Sequence, residues 1–142
     1  MKSHTPILIL IAFLCFSFKG DERHEAKANG IDFLSGDWTA ALALAKAENK
    51  PIFVDVYATW CGPCKKLKST FKDPEVGAYF NKNFVNIRID GETQDGIQFR
   101  NRYQINSYPT LLIVDYDGKV KTRAQGFMKP YILINFGRRI KP

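Results

Sequence analysis

Cys61 and Cys64 are the residues with chemistry to offer: Trp60-Cys61-Gly62-Pro63-Cys64 sets two thiols one helical turn apart, at a strand-to-helix junction. The preceding run, Pro51-Ile52-Phe53-Val54-Asp55-Val56-Tyr57-Ala58, is apolar and rich in β-branched and aromatic side chains, as a buried strand should be. The following stretch, residues 65–71, has no breaker and reads as helix. A helix N-terminus offers unpaired N–H groups and a partial positive charge, which favour a thiolate over a thiol. Cys61, at the exposed N-terminal edge, is the expected nucleophile toward a substrate disulfide. Cys64, one turn in, resolves the mixed disulfide by attacking Cys61. Pro63 falls in the first turn, where a missing N–H costs little, and Gly62 leaves the approach open. Lys65 and Lys66 either tune the thiol or are solvated helix-face lysines.

Other uses of the pair fit less well. A zinc site needs four ligands, and the chain offers Cys15, Cys61, Cys64, His4 and His24, of which Cys15 and His4 lie in an N-terminal segment set apart from the rest, so no metal is expected. Covalent haem attachment needs His directly after Cys64, where Lys65 stands. A purely structural crosslink closing so small a loop constrains the unfolded chain little.

The 142 residues, 45% hydrophobic and 13% aromatic, suffice for one domain with a real core. Residues 1–20 read as a signal peptide or N-terminal membrane anchor, because Lys2 and His4 precede an apolar run over residues 6–18 that is short for a membrane span. Residues 21–30 read as a polar tether and residues 31–142 as the folded domain. Export removes Cys15 if the segment is cleaved, leaving the Cys61–Cys64 pair alone, more plausibly chemical than architectural. The formal charge then falls from +7 to +5, since Lys2 and Lys19 leave and no acid does. Without a basic cluster interleaved with aromatics, that excess gives no ground for nucleic-acid binding.

The elements that must position the thiols alternate along the chain. Residues 31–34 read as a short edge strand, and Asp37 as the cap of a helix over residues 38–49 with Trp38, Ala41, Leu42 and Ala45 inward. Asp73-Pro74-Glu75 opens a further helix. Residues 83–90 form a second strand, and a helix over residues 96–103 should turn Ile97 and Tyr103 inward. Tyr108-Pro109-Thr110 leads into a strand over residues 111–114, which turns at Asp117-Gly118 into residues 119–123. A last helix from Pro130 carries Leu133, Phe136 and Ile140 on one face. The order predicted is βαβαβαββα or close to it, an α/β fold with a central mixed sheet flanked by helices on both faces.

Two segments resemble a known family. Val54-Asp55-Val56-Tyr57-Ala58-Thr59-Trp60-Cys61-Gly62-Pro63-Cys64-Lys65 resembles the active-site segment of thioredoxins, and Ser107-Tyr108-Pro109-Thr110 resembles that family's cis-proline loop. The likeness runs in element order over residues 31–140. Residues 50–76 are similar to the exported thioredoxin-like domain of the transmembrane thiol:disulfide interchange protein. The resemblance implies a thioredoxin fold and further site residues. Asp55 matches the buried acid that assists proton transfer at the second cysteine. Pro109 would be cis, with the backbone of Tyr108 pairing with an extended substrate. Trp60 would form an apolar apron, and Gly126 a small groove residue. Departures are Tyr57 in place of a second tryptophan, Asn86 in place of the lysine that neighbours the acid, with Arg88 two residues on, and no proline kink in the helix after the cysteines.

The reading is an exported thiol–disulfide oxidoreductase, monomeric and bacterial periplasmic or anchored through residues 6–18, that reduces disulfide-containing protein substrates. No bound cofactor is expected, because the electrons travel on Cys61 and Cys64, and a membrane thiol donor would regenerate them. Alternatives are a disulfide oxidase or isomerase, or a tethered peptide-binding module or chaperone.

Overall fold

The computed structural model describes residues 29–142. The expected N-terminal signal or anchor, Cys15 and most of the tether lie outside them, while Gly30 is already buried. In chain order come α1 (Trp38–Glu48), β1 (Ile52–Tyr57), α2 (Gly62–Phe71), α3 (Pro74–Asn83), β2 (Val85–Asp90), α4 (Gln94–Tyr103), β3 (Thr110–Val114), β4 (Val120–Gln125) and α5 (Pro130–Arg138). The four strands form one mixed sheet in the order β2-β1-β3-β4. β1 pairs parallel with β2 and antiparallel with β3, and β3 with β4 is an antiparallel hairpin. Its turn places Gly118 at φ 84, as the Asp-Gly pair foretells.

Strand alternation splits the core in two. Ile52, Val54 and Val56 face Ala41 and Ala45 of α1 and Phe99 and Tyr103 of α4. Phe53 faces the other way, among Leu67 and Phe71 of α2, Val76 and Phe80 of α3, and Leu133 and Phe136 of α5. Helices thus cover both faces, and the expected architecture holds. The caps are where local chemistry puts them: the carboxylate of Asp37 accepts from Ala40 N at 2.8 Å, and that of Asp73 from Glu75 N at 2.9 Å.

Two details differ from the expectation. Residues 31–34 form no strand: Leu34 N donates to Asn86 O at 2.8 Å, but a single bond is no ladder, and Phe33 instead packs edge-on against Phe71. Without that first strand the order is αβααβαββα, and the two helices read after the cysteines, α2 and α3, stand consecutively between β1 and β2 as expected. Ile97 is 46% exposed, and Phe99 takes the inward position beside Tyr103, because α4 meets the sheet along its Phe99–Tyr103 face.

Candidate active site

Cys61 caps α2. Its backbone is extended (φ −73, ψ 113), and its Sγ accepts the Cys64 N–H at 3.1 Å, the place a serine or aspartate oxygen takes at other helix starts. The sulfur that needs negative charge therefore already receives a donor from the helix end. Cys61 and Cys64 are joined as a disulfide with a Cα–Cα distance of 5.3 Å. Gly62 and Pro63 occupy the exposed first turn, and a Cβ on Gly62 would touch nothing within 4 Å.

The expected nucleophile, Cys61, is less open than its place in the motif implies. Cys61 is 3% exposed and Cys64 2%, so the two are nearly equally covered while the bond is closed. The cause lies outside the motif: with Ala58 they form a small cluster against which Tyr57 and Tyr108 pack. Trp60 stands out beside them at 67% exposure, edge-on to the Tyr108 ring at 5.8 Å. The Tyr108–Pro109 bond is cis. Pro109 is buried, and its carbonyl accepts from Gly126 N at 2.9 Å, so Gly126, at φ 85, sits against the proline loop.

Asp55 is 1% exposed, on the α2 side of β1. Burial pushes its carboxyl up to about 6, against the opposing pull of the Arg88 guanidinium and, more weakly, of Lys68 on α2. Arg88 Nε donates to Oδ2 at 2.8 Å and Nη2 lies 2.8 Å from the same oxygen, leaving Oδ1 without a hydrogen-bond partner among the described residues. The guanidinium also lies 4.2 Å from the Tyr57 ring centroid. A surface groove of 260 Å³ lined by Phe33, Lys68, Phe71, Lys72 and Arg88 reaches the arginine of the pair.

This corrects one expectation. Asn86 does not neighbour the acid: the β1–β2 register sets Phe53 beside Asn86 and Asp55 beside Arg88. Asn86 instead binds outward, its Nδ2 donating to Asn81 Oδ1 at 3.2 Å and Asp32 O at 3.4 Å. Face parity alone admits both Asn86 and Arg88, and only the register chooses between them.

Glu92 and Arg100 were not singled out by the sequence at all. Tyr108 Oη donates to Glu92 Oε1 at 2.6 Å, and Arg100 Nη1 donates to the same oxygen at 3.2 Å. Burial, with the bond to Glu92, pushes the Tyr108 phenol up to about 12. No sequence signal marks this network, since an acid in a turn and an arginine late in a helix are ordinary.

The chain matches the family model described as thioredoxin-like over residues 32–115. It is 37% identical over 97 residues to the thiol:disulfide interchange protein DsbD of Pseudoalteromonas atlantica, covering 66% of this chain and 16% of that protein. It spans about a sixth to a fifth of the length of the interchange proteins it matches first. Among solved structures, a Bacteroides thetaiotaomicron protein described as a candidate disulphide isomerase is 42% identical, with a TM-score of 0.67 over 78% of this chain and 92% of that one. The oxidised C-terminal domain of Neisseria meningitidis DsbD is 26% identical, with a TM-score of 0.62 over 71% of this chain and 90% of that one.

Proposed function

The chain belongs to the thioredoxin-like family, and from that premise we propose that it is an exported thiol–disulfide oxidoreductase that reduces protein disulfides outside the cytoplasm. The observation that carries the proposal is Cys61 Sγ at the α2 N-cap, bonded to Cys64 and bordered by Tyr57 and Tyr108.

The arrangement supports a two-step exchange. In the reduced protein the Cys61 thiolate attacks one sulfur of a substrate disulfide; a mixed disulfide forms and the other substrate sulfur leaves as thiolate. Asp55 takes the Cys64 proton, directly or through one water, and the Cys64 thiolate attacks Cys61 Sγ. The Cys61–Cys64 bond forms, the second substrate thiolate leaves, and two electrons have passed to the substrate. Both substrate thiolates take protons from solvent. The acid suits this role because burial sets its affinity for protons near neutrality. The exposed Trp60 and the backbone of Tyr108 beside Pro109 offer an apolar wall and a pairing edge for an extended substrate segment.

Each turnover consumes a dithiol, so a donor must restore it, and the similarity to interchange proteins supports a membrane thiol donor. The apolar run over residues 6–18 supports export. Among the described residues no helix is long and apolar enough to cross a membrane. The neighbour described as a candidate isomerase favours a second reading, net isomerisation by the same cysteines.

The reduction potential of the Cys61–Cys64 couple separates these readings. Equilibration with glutathione and with reference thioredoxin should place it near the roughly −270 mV of thioredoxin. A value near the roughly −180 mV of an isomerase or −120 mV of a strong oxidant would overturn the reductase assignment. Cys64→Ser should trap mixed disulfides with substrate, and Cys61→Ser should not.

A further inference from the structure

The side chain of Tyr108 closes over the disulfide, and the structure shows what holds it there. Its ring packs against the cluster of Ala58, Cys61 and Cys64 and meets Trp60 edge-on. Its hydroxyl reaches away from the cysteines to the turn between β2 and α4, where Glu92 Oε1 accepts it at 2.6 Å. Arg100, one helix face behind, lies 5.2 Å from the centre of the same ring and binds Glu92 Oε1 at 3.2 Å. The arginine also donates to Gly91 O and Ile105 O, each at 3.4 Å, so it ties the turn to the segment that leads into the proline loop.

The turn is built around the phenol. Gly91 N donates to Tyr57 O at 2.8 Å, which fastens the turn to the end of β1 just before the cysteines. A Cβ on Gly91 would collide with Tyr108 Oη and with its ring. Gly96 admits no side chain either, since its Cβ would strike Asp90 O. Close approach at Gly91, a charge-assisted hydrogen bond and a guanidinium on the ring thus converge on one aromatic, while Gly96 lets α4 start tight against the turn.

We propose that Glu92 and Arg100 are positioning residues for the exchange reaction: they latch Tyr108 against the Cys61–Cys64 disulfide, so that a protein substrate meets a preformed wall while small thiols are kept from Cys61. This inference rests on the reductase reading for its protein-substrate arm alone. The latch trades access for order. Releasing it lets the ring swing from the disulfide, which opens Cys61 Sγ to a small attacking thiolate. The same release leaves the groove to be ordered anew each time a protein binds, which weakens docking. Opposite effects on the two reactions are the signature, because a merely loosened fold has no reason to weaken docking at an unchanged limiting rate.

The test uses the full chain in wild type, Glu92→Ala, Glu92→Gln, Tyr108→Phe and the Glu92→Ala/Tyr108→Phe double variant. Reduction of the Cys61–Cys64 disulfide by dithiothreitol is followed by tryptophan fluorescence. In that reaction a dithiothreitol thiolate attacks Cys61 Sγ, Cys64 leaves as thiolate and takes a proton, and the second dithiothreitol thiol releases Cys61 as its own ring closes. Single-turnover reduction of insulin by the prereduced protein then gives a limiting rate and a half-saturating insulin concentration. Glu92→Ala and Tyr108→Phe should each speed dithiothreitol attack about threefold and raise half-saturation by a similar factor, with the limiting rate held within about twofold. The double variant should match Glu92→Ala alone, since that change already removes the Tyr108–Glu92 hydrogen bond together with the Arg100–Glu92 pair. Glu92→Gln keeps an acceptor oxygen and should restore most of the wild-type behaviour. Urea midpoints confirm that each variant is folded at the assay temperature.

Unchanged dithiothreitol rates and half-saturation in folded Glu92→Ala and Tyr108→Phe would overturn the latch, as would additive effects in the double variant. A wild type that fails to reduce insulin would sink the reductase reading instead, and the dithiothreitol arm would still decide whether the latch shields Cys61.

Discussion

The two faces of β1 are made from one six-residue strand and have opposite characters. Ile52, Val54 and Val56 point into a wholly apolar cluster with α1 and α4, each fully buried. Phe53, Asp55 and Tyr57 point the other way, where an apolar ring is followed by a buried carboxylate and then by the aromatic that receives Arg88. A strand alternates by construction, so one segment can anchor the sheet with its even positions and carry reactive groups on its odd ones. The first face stabilises through area removed from water, while the second retains a charge that burial disfavours and only partial pairing offsets. The proposed proton acceptor thus lies on the face that is energetically worse, opposite a face that stabilises the sheet.

Truncation on the apolar face is the largest way to sharpen that comparison. Ile52→Ala should cost about 2–5 kcal/mol, read from urea midpoints, because a fully buried side chain leaves a cavity between the sheet and the helices packed on it. Insulin reduction per folded molecule should stay at the wild-type rate. A large loss of rate in the folded fraction would show that the two faces are not independent.

Asp55→Asn breaks the comparison from the other side. The carboxyl of the folded protein holds its proton more tightly than that of the unfolded chain, at about 6 against 3.8. Wild type therefore loses stability as pH rises between those values, and the whole cost is present above the upper one. Asp55→Asn should be more stable at neutral pH by about 1–2 kcal/mol, less than the full shift implies because Arg88 loses its counter-charge. The gain should vanish below the lower value, and denaturation series at several pH values will show it. Near neutrality the same variant should reduce substrate more slowly, through loss of the base proposed for Cys64.

The smallest expected effect belongs to Arg88. Its charge and hydrogen bond both pull the Asp55 carboxyl down, so Arg88→Gln should raise it further. The acid limb of the pH–rate profile for mixed-disulfide resolution should move toward alkaline pH by about half to one unit. A limb that stays in place would mean that some group other than Asp55 titrates there.

Much of this was legible along the chain because it is local. The Cys-Gly-Pro-Cys run at a strand end, the Asp37 and Asp73 caps, the Asp-Gly turn and the Pro109 loop each involve residues a few positions apart, and all were found where their types imply. Local order also misled where packing decides. Residues 31–34 are apolar enough for a strand but find no ladder, and Ile97 fits a helical stripe whose phase α4 sets instead by Phe99 and Tyr103.

The sequence by itself determined which groups could exchange electrons, because two thiols spaced by one turn at a helix start need no distant partner to define their chemistry. Tertiary structure alone decided how those groups are held. The parallel register of β1 and β2 selected Arg88 over Asn86 as the cation beside Asp55, across 33 residues of chain. The β2–α4 turn brought Glu92 to Tyr108 across 16 residues and closed an aromatic over Cys61. Such pairings follow from strand register and loop path, which depend on the sum of all core contacts, and no short stretch of sequence records that sum.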